Sequence, residues 1–196
     1  MKKTLCSTAL IAALGLVATQ ASATDGTITF NGQVTDATCT ITGGGAATGT
    51  GNLTVTLPTV STTALPSTGT VAGSTPFTLN LGGGTNCTNG KTAALWVETT
   101  ATPALDTATG ALKNQASGGS NVQVQMLNGN DNQPINLGIN AAVVNGQSLI
   151  SANHQPAATI AGNTATLKYV AQYYAANAAA TPGAVTTYLT YSMQYN

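Results

Sequence analysis

Apolar and polar residues alternate with a period of two in short runs along this chain. Leu53, Val55 and Leu57 alternate with polar neighbours until Pro58 stops the run. Phe77, Leu79 and Leu81 alternate next and end in Gly82-Gly83-Gly84. Val122, Val124 and Met126 alternate with Gln123 and Gln125, ahead of the turn-forming cluster Asn128 to Asn132. Leu167, Tyr169, Ala171 and Tyr173 make a further run. In an extended strand such spacing puts every apolar side chain on one face, ready to cover a core. Short alternating runs separated by turn residues predict an all-β sandwich. The continuous apolar run Ala93 to Val97, which holds Trp96, is expected at its centre. Helix is limited to a turn within Ala175 to Ala180, before Pro182-Gly183 ends it. The stretch Gly43 to Gly51 reads as a flexible loop, and no long repeat or linker divides the rest into two domains.

The first residues carry an export signal. Lys2 and Lys3 form a basic start, Ala9 to Ala18 is mostly apolar, and Ala21-Ser22-Ala23 has the small-x-small cleavage pattern. That apolar stretch is about half of the roughly 20 residues needed to span a membrane. Residues 1–23 are therefore expected to be removed, leaving Thr24 to Asn196 with no membrane anchor. Cys6 precedes the apolar stretch and is incidental, so Cys39 and Cys87 remain. In an oxidising compartment a lone pair of cysteines forms a disulfide. Closing a loop of this length is worth roughly 4 kcal/mol on chain-entropy grounds.

Charge is scarce. Asp, Glu, Lys and Arg make up 5% of the chain, against about 25% in ordinary soluble domains. After the signal the cations are Lys91, Lys113 and Lys168, with no arginine anywhere. Such a chain cannot neutralise a row of phosphates, which excludes nucleic-acid binding. A surface of Thr, Asn, Gly and Ala suits packing against further copies, and equally a neutral secreted domain.

Motifs for other chemistry are weak. Gly84 to Thr92 looks like a phosphate-binding loop, but its glycines are one residue too far apart and Cys87 occupies its middle. The Asn128 to Asn132 cluster lacks the closing glutamate of a calcium loop and reads as a turn. His154 is the only histidine and has no acidic residue within twenty positions on either side. No metal site, cofactor site or catalytic constellation is expected, and the chain is not read as an enzyme.

Both ends of the expected mature chain alternate strongly. Ile28, Phe30, Gly32 and Val34 share one face of an extended segment, with Thr27, Thr29, Asn31 and Gln33 on the other. At the back, Val185, Thr187, Leu189, Tyr191, Met193 and Tyr195 alternate with polar partners to the last residue. Two edge strands pairing inside one domain would give the same pattern. The details go further. The segment Gly26 to Val34, leading into Asp36-Ala37-Thr38-Cys39, resembles the N-terminal extension of type 1 fimbrial subunits, the chaperone–usher pilins. Cys87 follows at a similar interval, Tyr195 is penultimate, and Gly183 is fourteenth from the end counting Asn196 as first, which resembles that family's chaperone-recognition pattern. The run Tyr173 to Ala184 is also similar to the segment before the last strand of major pilins.

This resemblance implies an incomplete immunoglobulin-like β-sandwich, with residues 24–36 as an arm and 37–196 as the body. Ile28, Phe30, Gly32 and Val34 would be the donor strand. Gly183, Val185, Leu189, Tyr191, Met193 and Tyr195 would form the groove strand that a periplasmic chaperone covers first and the arm of the next copy covers later. Strand addition of this kind is already known for pilins. The implied partners are other pilin copies, a periplasmic chaperone and an outer-membrane usher. The implied location is a cell-surface fimbrium reached through the periplasm, and the implied function is a structural pilus subunit supporting adhesion. Alternatives are a minor adaptor or tip-fibre pilin, and a secreted carbohydrate-binding β-sandwich using Trp96 and the tyrosines.

Overall fold

The computed structural model describes residues 34, 39–83, 86–140, 143–144, 147–148 and 153–196. Two compact units divide the chain, Met1–Val34 and Thr35–Asn196. Of the first, Val34 alone is described; the strands below belong to the second.

The described residues form β1 (Thr40–Gly45), β2 (Ala47–Thr50), β3 (Asn52–Val55), β4 (Val71–Gly82), β5 (Thr92–Val97), β6 (Leu105–Asp106) and β7 (Ala111–Lys113). Next come β8 (Gln123–Asn128), β9 (Val143–Val144), β10 (Gln147–Ser148), β11 (Ala157–Thr159), β12 (Ala165–Tyr174) and β13 (Tyr191–Tyr195). One sheet has the order β3-β2-β1-β4-β12-β8-β7-β6, a second has β11-β5-β13, and β9 pairs with β10 as a separate hairpin. Every pairing is antiparallel. The architecture is that of an all-β, immunoglobulin-like sandwich.

The alternation explains the core. Phe77, Leu79 and Leu81 of β4 and Leu167, Tyr169 and Ala171 of β12 are buried together with Ala93, Leu95 and Val97 of β5. The rings of Phe77 and Tyr169 stack with centroids 5.5 Å apart. Tyr169 is fully enclosed, and its hydroxyl accepts a hydrogen bond from Gln155 Nε2 at 3.3 Å. A buried tyrosine needs such a partner for its polar tip. Cys39 and Cys87 are bridged, with Cα atoms 4.5 Å apart, tying the start of β1 to the turn ahead of β5. Asn140 pairs with the end of β5 through its side chain: its Oδ1 accepts from Val97 N at 2.8 Å and its Nδ2 donates to Val97 O at 2.9 Å.

Three expectations are corrected. The glycine-rich stretch Gly43 to Gly51 is no loose loop; it forms the end of β1, all of β2 and the turn into β3. Glycine suits it because a Cβ on Gly43 would lie 2.7 Å from the carbonyl carbon of Ala47. Ala175 to Ala180 contains bends and no helical turn; Ala180 N donates instead to Leu65 O at 2.9 Å. The run Ala93 to Val97 is central to its sheet, but Trp96 is half-buried and absent from the core cluster. It falls on the strand face opposite Leu95 and Val97, as the period of two requires.

Candidate functional site

The C-terminal segment is fixed along one side from Gly183 onward. Gly183 has φ 152, and a Cβ there would meet Ser120 N at 2.5 Å and the carbonyl carbon of Gly119 at 2.6 Å. A Cβ on Gly119 would in turn meet Ala184 O at 2.3 Å. The paired glycines thus let two backbones touch. Asn114 secures this crossing. Its Nδ2 donates to Ser120 O and to Ala184 O, each at 2.8 Å, and its Oδ1 accepts from Thr186 N at 2.9 Å. Further along, Thr190 N donates to Thr102 Oγ1 at 3.0 Å, and Glu98 N donates to Thr190 O at 2.9 Å. From Tyr191 the segment becomes β13 and pairs with β5 in the register Tyr191 with Val97, Met193 with Leu95 and Tyr195 with Ala93.

The other side of this segment is different. Among the described residues β13 is the last strand of its sheet, with β5 as its single partner. Val185, Leu189, Tyr191, Met193 and Tyr195 are only half-buried although all pack on the main core. Across from them Ile41, Leu53, Val55 and Leu57 of the β1–β3 meander and its exit are likewise half-buried against the same core. Among the described residues the sandwich therefore has an open flank walled by two apolar rows, neither carrying a charged side chain. Two tyrosines span it. Tyr191 Oη donates to Gly51 O at 2.6 Å, and Cys39 N donates to Tyr195 Oη at 3.2 Å. Burial, and secondarily the neighbouring Tyr195, push the Tyr191 hydroxyl above its ordinary pKa. At the Val185 end a cavity of about 200 Å³ opens between Val60, Leu65, Val122, Tyr173 and Val185.

The structure brings all the expected groove-strand residues onto one segment, though only Tyr191–Tyr195 is regular strand. Val185 to Thr190 keeps the alternation of half-buried and exposed side chains without a continuous ladder, since turns and side chains supply its partners. Of the expected donor positions, Ile28, Phe30 and Gly32 lie outside the described residues; Val34 is 99% exposed. Asn114, Gly119 and the main-chain partners of the two tyrosines carry no signal in the sequence, because each acts on residues distant along the chain. Asp131 is equally unforeseen beside His154, with Oδ2 2.9 Å from Nδ1. Slight burial raises the Asp131 pKa, but hydrogen bonds from Gln133 N and His154 and the His154 charge outweigh it, leaving the carboxyl below its ordinary value.

The family description for type-1 fimbrial protein A matches residues 57–196, which include the whole C-terminal wall of this flank. The chain belongs to the type-1 fimbrial protein family. The major fimbrial subunit SMF-1 of Stenotrophomonas maltophilia is 46% identical over 178 residues, covering 90% of this chain and 95% of that protein. The F17 fimbrial protein of Escherichia coli is 43% identical over 188 residues, covering 92% and 94%. As a type-1 fimbrial protein the chain is a structural pilus subunit of a surface fimbrium, and it assembles with other pilin copies.

Proposed function

We propose that this fimbrial subunit polymerises by donor-strand exchange, with the open flank as acceptor and residues 24–36 of another copy as donor. The supporting observation is the strand β13, hydrogen-bonded on one side only among the described residues while its apolar row lies half-covered on the core. An edge of this kind is an aggregation hazard until something pairs with it. An arm with Ile28, Phe30 and Val34 on one face meets both needs, supplying a main-chain ladder and apolar cover. Those three side chains contribute about 5–9 kcal/mol before ordering costs. Gly32 suits a point where the two backbones come close.

On this reading residues 1–23 direct export and are removed, a periplasmic chaperone covers the flank until assembly, and an outer-membrane usher delivers the subunit to the fibre. The chain acts structurally, without catalysis. Phe30→Asp tests the donor role. Fibres seen by electron microscopy should be lost while monomer accumulates in the periplasm, and wild-type fibre yield from this variant would exclude the arm as donor.

A further inference from the structure

We infer that Tyr191 and Tyr195 form a side-chain clasp across the open flank, holding the unoccupied body shut until an incoming donor strand opens it. This rests on the donor-strand reading of the flank. The two residues are four apart on β13, so their side chains leave the same face with Met193 between them. Both rings pack on the core and both hydroxyls end on main chain of the opposite wall, at Gly51 O in the β2–β3 turn and Cys39 N just ahead of β1.

A strand missing between two walls leaves a gap of about two strand spacings, roughly 10 Å. An extended tyrosine with one hydrogen bond at its tip reaches across a distance of that order. Leu189 and Met193 have no polar end and cannot tie the far wall. Tyrosine combines an apolar body, which covers exposed core, with a hydroxyl that fixes it. Because the partners are backbone groups, the clasp needs no particular side chain opposite. Gly51 turns with φ 67 and has open space where a Cβ would stand. A donor strand pairing with the edge of β13 that faces away from β5 must run between the same two walls, across the line of both hydrogen bonds. The hydroxyls therefore slow entry, and the subunit resists partners that cannot supply a full strand in exchange.

The test uses the full mature chain in dilute solution, with a synthetic peptide of residues 26–34 as the donor. Native mass spectrometry follows peptide uptake by wild type, Tyr191→Phe, Tyr195→Phe and the double variant, all of which keep the rings and the core. Each hydroxyl removed should speed uptake about fivefold, the worth of one net hydrogen bond. Hydrogen exchange at the Cys39 amide should quicken by a similar factor in Tyr195→Phe and stay unchanged in Tyr191→Phe. Uptake that is unchanged or slower in the double variant overturns the clasp. If no variant takes up peptide, wild type included, the donor-strand reading fails. Faster Cys39 exchange in Tyr195→Phe then still supports the clasp as a latch of the lone subunit, and unchanged exchange overturns it.

Discussion

Gly183 shows how tightly packing can fix a single residue. Its place fourteenth from the end resembles a chaperone-recognition pattern, yet the backbone of Gly119 and Ser120 leaves no room for any Cβ there. Gly183→Ala should therefore lower stability by about 1–3 kcal/mol, the usual cost of forcing atoms into a filled space. The midpoint of urea unfolding measures this, and an unchanged midpoint would mean that the crossing relaxes freely. Asn114 holds the same crossing with three hydrogen bonds. In the sequence it is one polar residue among many, because its partners at Ser120, Ala184 and Thr186 meet it only after folding.

At the level of the element, β13 and the segment before it follow the rule of two throughout. Val185, Leu189, Tyr191 and Met193 face the core, and Tyr188 is 51% exposed on the opposite side. A charge should consequently act according to its face. Met193→Asp places a carboxylate against the apolar core, where desolvation opposes it, and should deplete the subunit from periplasmic extracts. Tyr188→Asp meets water and should leave the level near wild type. Equal depletion in both would show that the faces are not distinguished. The period of the segment was legible in the sequence; the end of its ladder at Tyr191 was not. Which backbone groups pair with Val185 to Thr190 depends on the turns around residues 98–102 and 113–120, and no local pattern specifies them. The stretch Gly43 to Gly51 failed for the related reason that β1 is held by β4, far away in sequence.

For the whole molecule, a chain with 5% charged residues has few titrations to destabilise it, so the buried tyrosines govern its alkaline limit. Burial pushes the Tyr169 hydroxyl well above its ordinary pKa, eased only slightly by the bond from Gln155, and Tyr173 is shifted in the same direction by burial. A folded-state pKa above the unfolded one means that the fold favours the neutral phenol. Stability from this source is complete below the unfolded value of about 10 and is lost as pH rises beyond it. Urea midpoints should thus hold steady up to about pH 9 and fall above about pH 10, with tyrosinate absorbance of Tyr169 appearing only on unfolding; early ionisation of that residue would contradict its enclosure. Alternation and the cysteine pair were enough by themselves to determine an all-β, bridged protein, because side-chain period is a local property that every fold of this chain must honour; scarce charge was compatible with self-association without deciding it. The tertiary structure alone decided that β13 pairs with β5 alone among the described residues, that tyrosines cross the flank beside it, and that His154 meets Asp131. Each of these depends on which distant backbone comes near, and spacing along the chain does not encode that distance.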